Sequence, residues 1–148
     1  MTTDYKGALN EMFDALQTAW LGANAIVGYA PRIYFPGEDD GTIPDAALFW
    51  ARVSTNSVLC EQSTLCENVV TQGSKRFETF GLIFFQIFAP KRADSEDKTL
   101  LLSALVQNCF RNRTANVILR NARIKEVSPE NGAIRKIVVA EFQFDEVN

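Results

Sequence analysis

The side chains that most often carry out chemistry in proteins are scarce in this sequence. It contains no histidine, which excludes Ser-His-Asp and Cys-His relays, histidine-ligated zinc and the commonest general base near neutral pH. Its three cysteines, Cys60, Cys66 and Cys109, are too few for a thiolate zinc site. We expect Cys60 and Cys109 to pack as apolar side chains. The sequence therefore predicts no catalytic residue, no metal ion and no cofactor.

Glycines and carboxylates do not form a known binding motif either. The glycines are isolated, so neither a phosphate-binding nor a dinucleotide-binding loop is present. The acidic segment 37–41 could bring carboxylates to a divalent cation, but its spacing differs from that of a calcium loop. We interpret this segment as an exposed turn. These observations favour a protein that works by binding over an enzyme.

Composition and charge indicate one folded domain made in a cytoplasm. The chain of 148 residues is 47% apolar and 22% charged, as is usual for a globular domain. No apolar segment is long enough to span a membrane, and the N-terminus lacks the pattern of a signal peptide. An odd number of cysteines without an export signal indicates reduced thiols. The net charge of −3 argues against a dedicated nucleic-acid-binding protein.

The most apolar part of the chain predicts a central strand followed by a helix that covers it. Segment 77–90 is dense in aromatic and β-branched residues, which is typical of a strand covered on both faces, and Pro90 ends it. Segment 94–112 follows as a helix, with Asp94 or Ser95 as its N-cap. One apolar stripe recurs at helical spacing and can lie on the sheet: Leu102, Leu105, Val106, Cys109 and Phe110.

The N-terminal half predicts a second helix and two strands. Residues 4–21 form an amphipathic helix with Trp20 on its apolar face, Thr3 or Asp4 as its cap and Gly22 as its stop. The loop-rich segment 22–44 contains an extended piece at 32–35, which we interpret as an edge strand. Residues 46–55 alternate as a strand. The polar segment that follows predicts a strand that runs into a long loop or arm, about residues 56–75, which either orders against a partner or is simply mobile.

The C-terminal part predicts a β-hairpin. Strands at 117–127 and 133–146 are joined by a turn at 128–132, whose Asn-Gly pair is a strong hairpin signal. Three residues of the first strand are predicted to share a face: Ile118, Ala122 and Ile124. In the last strand Ala140, Phe142 and Phe144 point inward. The order of elements predicts a single α+β domain, residues 1–148, with a mostly antiparallel or mixed sheet and two helices packed on one face.

Three stretches, taken in order, carry a family resemblance. The first is the amphipathic helix 9–20 with the proline-rich loop 31–44, and the third is the segment 142–145, Phe-Gln-Phe-Asp. The second is an arginine, a glycine and an apolar strand that ends in a proline before a helix: Arg76, Gly81, 82–89, Pro90 and 100–110. In this order they resemble the tail terminator-like proteins of long-tailed bacteriophages. The chain departs from that pattern in its longer polar segment 56–73, so no contact made there is carried over.

The resemblance implies a structural virion protein of the tail and neck, synthesised in the cytoplasm of a host bacterium. Such proteins form a ring, typically a hexamer, on the head-proximal end of the tail tube. The ring stops the addition of tube subunits and presents the surface that joins the head. The implied partners are further copies of the chain, the tail tube protein and a neck connector, while DNA only passes through the lumen. Under this hypothesis, and not carried over from the family, six residues of the polar segment and its base are candidate ring or tube contacts: Glu61, Gln62, Glu67, Asn68, Lys75 and Arg76.

Other functions remain open at this point. A head–tail connector or tail-completion subunit is also a ring former of similar size. An α+β domain that binds or converts a small molecule would contain a pocket with convergent polar groups beneath the helices. A nucleic-acid-binding protein would lose affinity for DNA steeply with added salt.

Overall fold

One sheet with helices on one side organises the part of the chain that the computed structural model describes, residues 3–38, 47–65, 75–129 and 133–147. Its helices are α1 (Tyr5–Trp20), α2 (Ala23–Val27) and α3 (Ser95–Phe110). Its strands are β1 (Arg32–Tyr34), β2 (Trp50–Leu65), β3 (Lys75–Ala89), β4 (Ile118–Glu126) and β5 (Ile134–Val147). The strand order is β1-β2-β3-β5-β4. β1 runs parallel to β2, and the other neighbours are antiparallel.

The predicted fold class is confirmed, with a mixed sheet and both long helices on the same face. Trp20 of α1 packs edge-on against Phe85 of β3, with ring centroids 4.9 Å apart. The stripe predicted for α3 lies on the same side, where Leu102, Val106 and Phe110 are buried. Because each helix is apolar along one stripe only, a shared sheet face is the surface that buries both stripes.

The alternation of side chains along β3 decides which residues form the core. Ile83, Phe85 and Ile87 are fully buried beneath the helices, whereas Leu82 and Phe84 point to the opposite face and are half-buried. The prediction that both faces of this strand are covered is therefore wrong for the described chain, since its helices lie on one face only. We call the other side the uncovered face.

Residues 56–65 form a strand and not the predicted loop. They extend β2 and pair antiparallel with the first half of β3, from Asn56 opposite Leu82 to Leu65 opposite Lys75, with two bulges. Residues 56–61 are exposed to solvent, which accounts for their mostly polar character, because a strand at the rim of a sheet needs few apolar side chains. The rest of the predicted arm, residues 66–74, lies outside the described part of the chain.

A bulge in β4 changes which side chains share a face. Asn121 has a positive φ of 55°, and the register with β5 shifts at this point. One additional residue reverses the alternation, so Ile118 lies on the uncovered face while Ile124 faces the helices. The prediction that Ile118, Ala122 and Ile124 share one face is therefore wrong. In β5, which has no bulge in its pairing with β3, the prediction that Ala140, Phe142 and Phe144 point inward is confirmed.

α1 has the predicted start and end, but a second short helix follows it. The Asp4 carboxylate caps α1 by accepting a hydrogen bond from the Gly7 N–H at 2.7 Å. The chain keeps helical dihedrals through Leu21 and Gly22, and α2 ends only at Gly28, whose φ of 86° suits glycine. A helix of five residues is too short to show a period in the sequence, so the prediction of a loop-rich segment over 22–44 missed it. The predicted edge strand in this segment is confirmed as β1.

The two cysteines in the described part of the chain differ in their surroundings. Cys109 is half-buried on α3, where desolvation raises the pKa of its thiol, in agreement with the predicted packing role. Cys60 is exposed on β2, and its sulfur accepts a weak hydrogen bond from the Thr79 hydroxyl at 3.4 Å. The prediction that Cys60 packs in the core is wrong, because β2 is a strand at the rim of the sheet in this region.

Lys136 of β5 is a charged side chain that is buried on the helix-covered side of the sheet. Only 5% of the residue is exposed, and its ammonium donates hydrogen bonds to Glu96 at 2.7 Å and to Glu126 at 3.2 Å. The bond to Glu96 raises the pKa of this lysine, against the effect of desolvation. Lys136 therefore joins the first turn of α3 to β5 and to the end of β4.

Replacement of the α1 cap tests the role of the first residues. Asp4→Ala is expected to lower the free energy of unfolding by about 1 kcal/mol, because the N–H of Gly7 loses its acceptor. Asp94→Ala is the matched control, since Asp94 precedes α3 but makes no side-chain capping bond and has only an exposed ion pair with Lys98. Denaturant unfolding of both variants measures the difference, and an equal loss would contradict a specific cap at Asp4.

Candidate interaction surface

The uncovered face of the sheet is built from alternate residues of its long strands. β3 contributes residues that are half-buried or, for the last, buried by its neighbours: Glu78, Phe80, Leu82, Phe84, Gln86 and Phe88. The registers place the outward residues of β5 and β2 beside them, so that Val139 and Ser54 flank Phe84 on either side. Apolar side chains in the middle of a sheet face are a feature of protein contact surfaces.

A row of aromatic rings crosses one end of the uncovered face, from β1 to β3. Trp50 and Phe88 stack with ring centroids 4.0 Å apart and planes at 4°, and Tyr34 meets Trp50 edge-on at 5.5 Å. The guanidinium of Arg32 lies 4.3 Å from the centre of the Tyr34 ring, and that of Arg52 lies 5.2 Å from that of Phe88. Each cation is within the range in which the face of a ring attracts it.

Gln86 links this row to the next strand. Its side-chain oxygen accepts hydrogen bonds from the Arg52 guanidinium at 2.9 Å and, more weakly, from that of Arg135 at 3.5 Å. Four strands, β1, β2, β3 and β5, thus contribute to one network of aromatic and guanidinium groups. Aromatic residues and arginine are also the residue types most enriched at protein interfaces.

An apolar groove lies in the middle of the uncovered face. It has a volume of about 350 Å³, with Phe80 and Leu82 among its lining residues. Val58 stands on its β2 side, and Arg120 and Glu141 stand on its β4 side. The groove therefore joins an apolar floor to a charged wall, an arrangement that suits a protein side chain with an apolar stem and a polar end.

The opposite end of the uncovered face is rich in carboxylates. Glu61, Glu78 and Asp145 stand directly opposite one another on β2, β3 and β5. Asp145 forms an ion pair with Arg76, whereas no cation of the described residues lies within ion-pair distance of Glu61 or Glu78. Like charges opposite each other in a sheet are unfavourable, so this end of the face is suited to a cationic partner.

The six predicted contact residues are only partly gathered together. Glu67 and Asn68 lie outside the described residues. The other four belong to the paired part of β2 and β3 and not to a loop: Glu61, Gln62, Lys75 and Arg76. Glu61 and Arg76 both border the carboxylate-rich end. Their contact with a ring neighbour or a tube subunit stays a prediction.

Sequence reasoning missed the aromatic row as a candidate contact. Trp50, Tyr34 and Phe88 come from three separate segments, and only the strand order brings them together. One signal was present, because the alternation of residues 46–55 already places Trp50 and Arg52 on the same side of a strand. The stacking partner on β3 depends on register, which a single sequence does not give.

Neither a metal centre nor a membrane span is found in the described part of the chain. No three of its cysteine, aspartate and glutamate side chains are grouped closely enough to hold a metal ion. None of its helices is both long and apolar enough to cross a bilayer.

Comparison with known proteins places the chain in no family. No protein-family model matches it, and no curated protein matches it. One solved protein structure covers 88% of this chain and 94% of its own, with a TM-score of 0.48 and 10% sequence identity. At this level the likeness carries no information on function.

Proposed function

We propose that this chain is a structural virion protein that caps the head-proximal end of a phage tail tube. Copies of it form a ring, a hexamer by the family resemblance. The ring ends polymerisation of the tube, because one of its sides matches the tube end and the other offers no site for a tube subunit. That second side joins the head through a neck connector.

The uncovered face is the observation that carries this proposal. A sheet with its helices on one side leaves Phe80, Leu82 and Phe84 half-exposed, beside exposed arginine and carboxylate groups. Such a surface is stable in a chain that spends its working life in contact with other proteins. An assembly protein needs such a contact surface, whereas a small domain that acts alone does not.

Packing beneath the helices also favours assembly over small-molecule binding. Four aromatic side chains fill that region, each at most 1% exposed: Phe49, Phe85, Phe110 and Phe142. A binding domain of this class would instead contain a pocket with convergent polar groups there. The apolar groove lined by Phe80 and Leu82 lies instead at the surface of the sheet.

The end of the sheet at which β2, β3 and β5 extend beyond β4 is the proposed contact with the tube. β4 begins opposite Gln143, whereas β2 and β3 continue past that level to Leu65 and Lys75. Glu61 and Glu78 stand on this extension without a described cation partner. A basic rim on the terminal tube subunits would neutralise them.

Tail length measured in the presence of the purified protein tests the function. We expect growing tail tubes to stop elongating and to carry a ring at one end in electron micrographs. Glu78→Lys is expected to abolish capping, while Asp97→Lys, the same charge change on the exposed outer side of α3, leaves it intact. Tubes that elongate unchanged would contradict the proposal. Binding to portal complexes and not to tubes would assign the chain to the connector instead.

A further inference from the structure

The sheet has two open edges. Only residues Trp50–Arg52 of β2 pair with β1, so among the described residues the outer edge of β2 from Val53 to Glu61 has no strand beside it. The outer edge of β4, Ile118–Glu126, is open in the same sense. The open edge of β2 continues to Leu65, the end of the strand, and both edges present backbone groups that are able to pair with another strand.

The direction of the strands allows these two edges to pair between copies. β2 is antiparallel to β3, β3 to β5 and β5 to β4, so β2 and β4 run in opposite directions within one chain. Copies placed side by side in the same orientation therefore bring β4 of one against β2 of the next in an antiparallel arrangement. This contact is heterologous, which is the type that closes into a ring.

The registers of the sheet show which residues would meet. Leu59 stands opposite Phe80, Phe80 opposite Gln143, and Gln143 opposite Ile118, so Leu59 and Ile118 lie at the same level on the two edges. A closed ring has no rise from copy to copy, and with its strands along the ring axis Ile118 meets the next copy's Leu59. Both residues are exposed apolar side chains, at 41% for Ile118 and 46% for Leu59.

The charges of the two edges are complementary. Five exposed cations lie on β4 and the connection before it: Arg111, Arg113, Arg120, Arg123 and Lys125. None of the five pairs with a carboxylate of the described chain. The open edge of β2, residues 53–65, contains no lysine or arginine, and Glu61 lies on it two residues beyond Leu59. Arg113 lies near Asp145, which is at the level of Glu61.

We infer that copies of this chain associate head to tail through their sheet edges, with β4 of one copy antiparallel to β2 of the next and Ile118 against Leu59. Closure of this contact into a ring rests on the proposed function, whereas the pairing of the edges does not. A twofold pairing of β4 with β4 would place cations against cations, which like-charge repulsion disfavours. The second copy is therefore attached by the unlike edge.

Two single variants and their mixture test the heterologous contact. Leu59→Lys and Ile118→Glu each place a charge in the apolar contact, so each alone is expected to weaken self-association at least about tenfold. An equimolar mixture is expected to recover association, because the introduced lysine of one chain meets the introduced glutamate of the other. The double variant in one chain is expected to recover it as well. Native mass spectrometry and sedimentation equilibrium give the masses.

Exposed apolar residues away from the edges provide the matched controls. Leu101→Lys and Leu21→Glu make the same changes at side chains that are 56% and 70% exposed, and we expect them to associate as the wild type does. Far-ultraviolet circular dichroism and thermal melting confirm that each variant is folded.

Several results would overturn the inference. Wild-type protein that stays a monomer up to about millimolar concentration, in the affinity range of weak interfaces, would do so. If copies associate through β2 with β2, Ile118→Glu would not change the association. If the basic edge of β4 binds nucleic acid instead, Ile118→Glu would weaken DNA binding without changing the mass of the protein in solution. If edge-dependent oligomers form but do not cap tail tubes, the inference stands and the proposed function fails. If both edge variants still form rings on tail tubes, the proposed function stands and the inference about the edges fails.

Discussion

Phe85→Ala is expected to lower the free energy of unfolding by about 3–5 kcal/mol. The Phe85 side chain is fully buried in the middle of β3, and its ring packs against that of Trp20 at 4.9 Å. Truncation leaves a cavity between the sheet and α1 that rigid neighbours on both sides cannot fill. Urea denaturation measures the loss through the transition midpoint.

The adjacent Phe84 is a matched control within the same strand. Its side chain points to the uncovered face and is half-buried, so Phe84→Ala is expected to cost only about 1 kcal/mol. The two variants delete the same atoms one residue apart, and the difference between them measures how unequally the two faces are covered. Equal destabilisation would show that the isolated chain buries both faces, which contradicts the description of an uncovered face.

Gly81→Ala is expected to destabilise the fold by about 2–3 kcal/mol. A Cβ atom at this position would lie 2.3 Å from Cζ of Phe142 and 2.6 Å from the carbonyl oxygen of Asn56. The ring of Phe142 is buried between the sheet and the helices, and the carbonyl belongs to the adjacent strand. Neither neighbour can retreat without loss of packing or of ladder geometry. The glycine at this point of β3 is therefore required by close approach.

Gly22→Ala provides the control for the loss of a glycine. Its added Cβ would meet the flexible Leu105 side chain at 3.2 Å and the carbonyl oxygen of Ala19 at an ordinary contact distance of 3.4 Å, so we expect a change within about 1 kcal/mol of the wild type in either direction. The double variant Gly81→Ala with Phe142→Leu is expected to recover part of the stability that Gly81→Ala loses, because the smaller side chain relieves the contact at Phe142. The recovery is only partial, because the contact with the carbonyl oxygen of Asn56 remains. Thermal unfolding measures the stability of the three variants relative to the wild type. A Gly81→Ala protein as stable as the wild type would contradict the predicted contact.

The elements with strong periods could be predicted from the sequence. The apolar stripe of α1, the run that became β3 and the inward Ala140, Phe142 and Phe144 of β5 all follow from spacing, since each repeats over enough residues to be distinct from chance. Prediction failed where the signal is local. The bulge at Asn121 adds one residue, and the polar half of β2 forms a strand only because β3 lies beside it.

The candidate contact surface was less accessible from the sequence. The sequence predicts that the helices share one face, but it does not show that the alternate residues of β3, such as Phe84, lack cover on the other. Whether those residues are covered depends on which of the two apolar faces of the sheet the helices pack against. The meeting of Tyr34, Trp50 and Phe88 likewise depends on strand order and register, which long-range pairing determines. The predicted contact residues that the structure describes therefore lie on the paired strands β2 and β3 and not on a polar loop.

The two tryptophans of the chain give it a built-in optical label for each side of the sheet. Trp20 is 4% exposed in the core, whereas Trp50 is half-exposed in the aromatic row of the uncovered face. A soluble quencher should therefore darken the emission of Trp50 well before that of Trp20. A partner that covers the row would shield Trp50 and shift its emission to the blue, so docking on this face can be followed by light alone, without a dye or a tag.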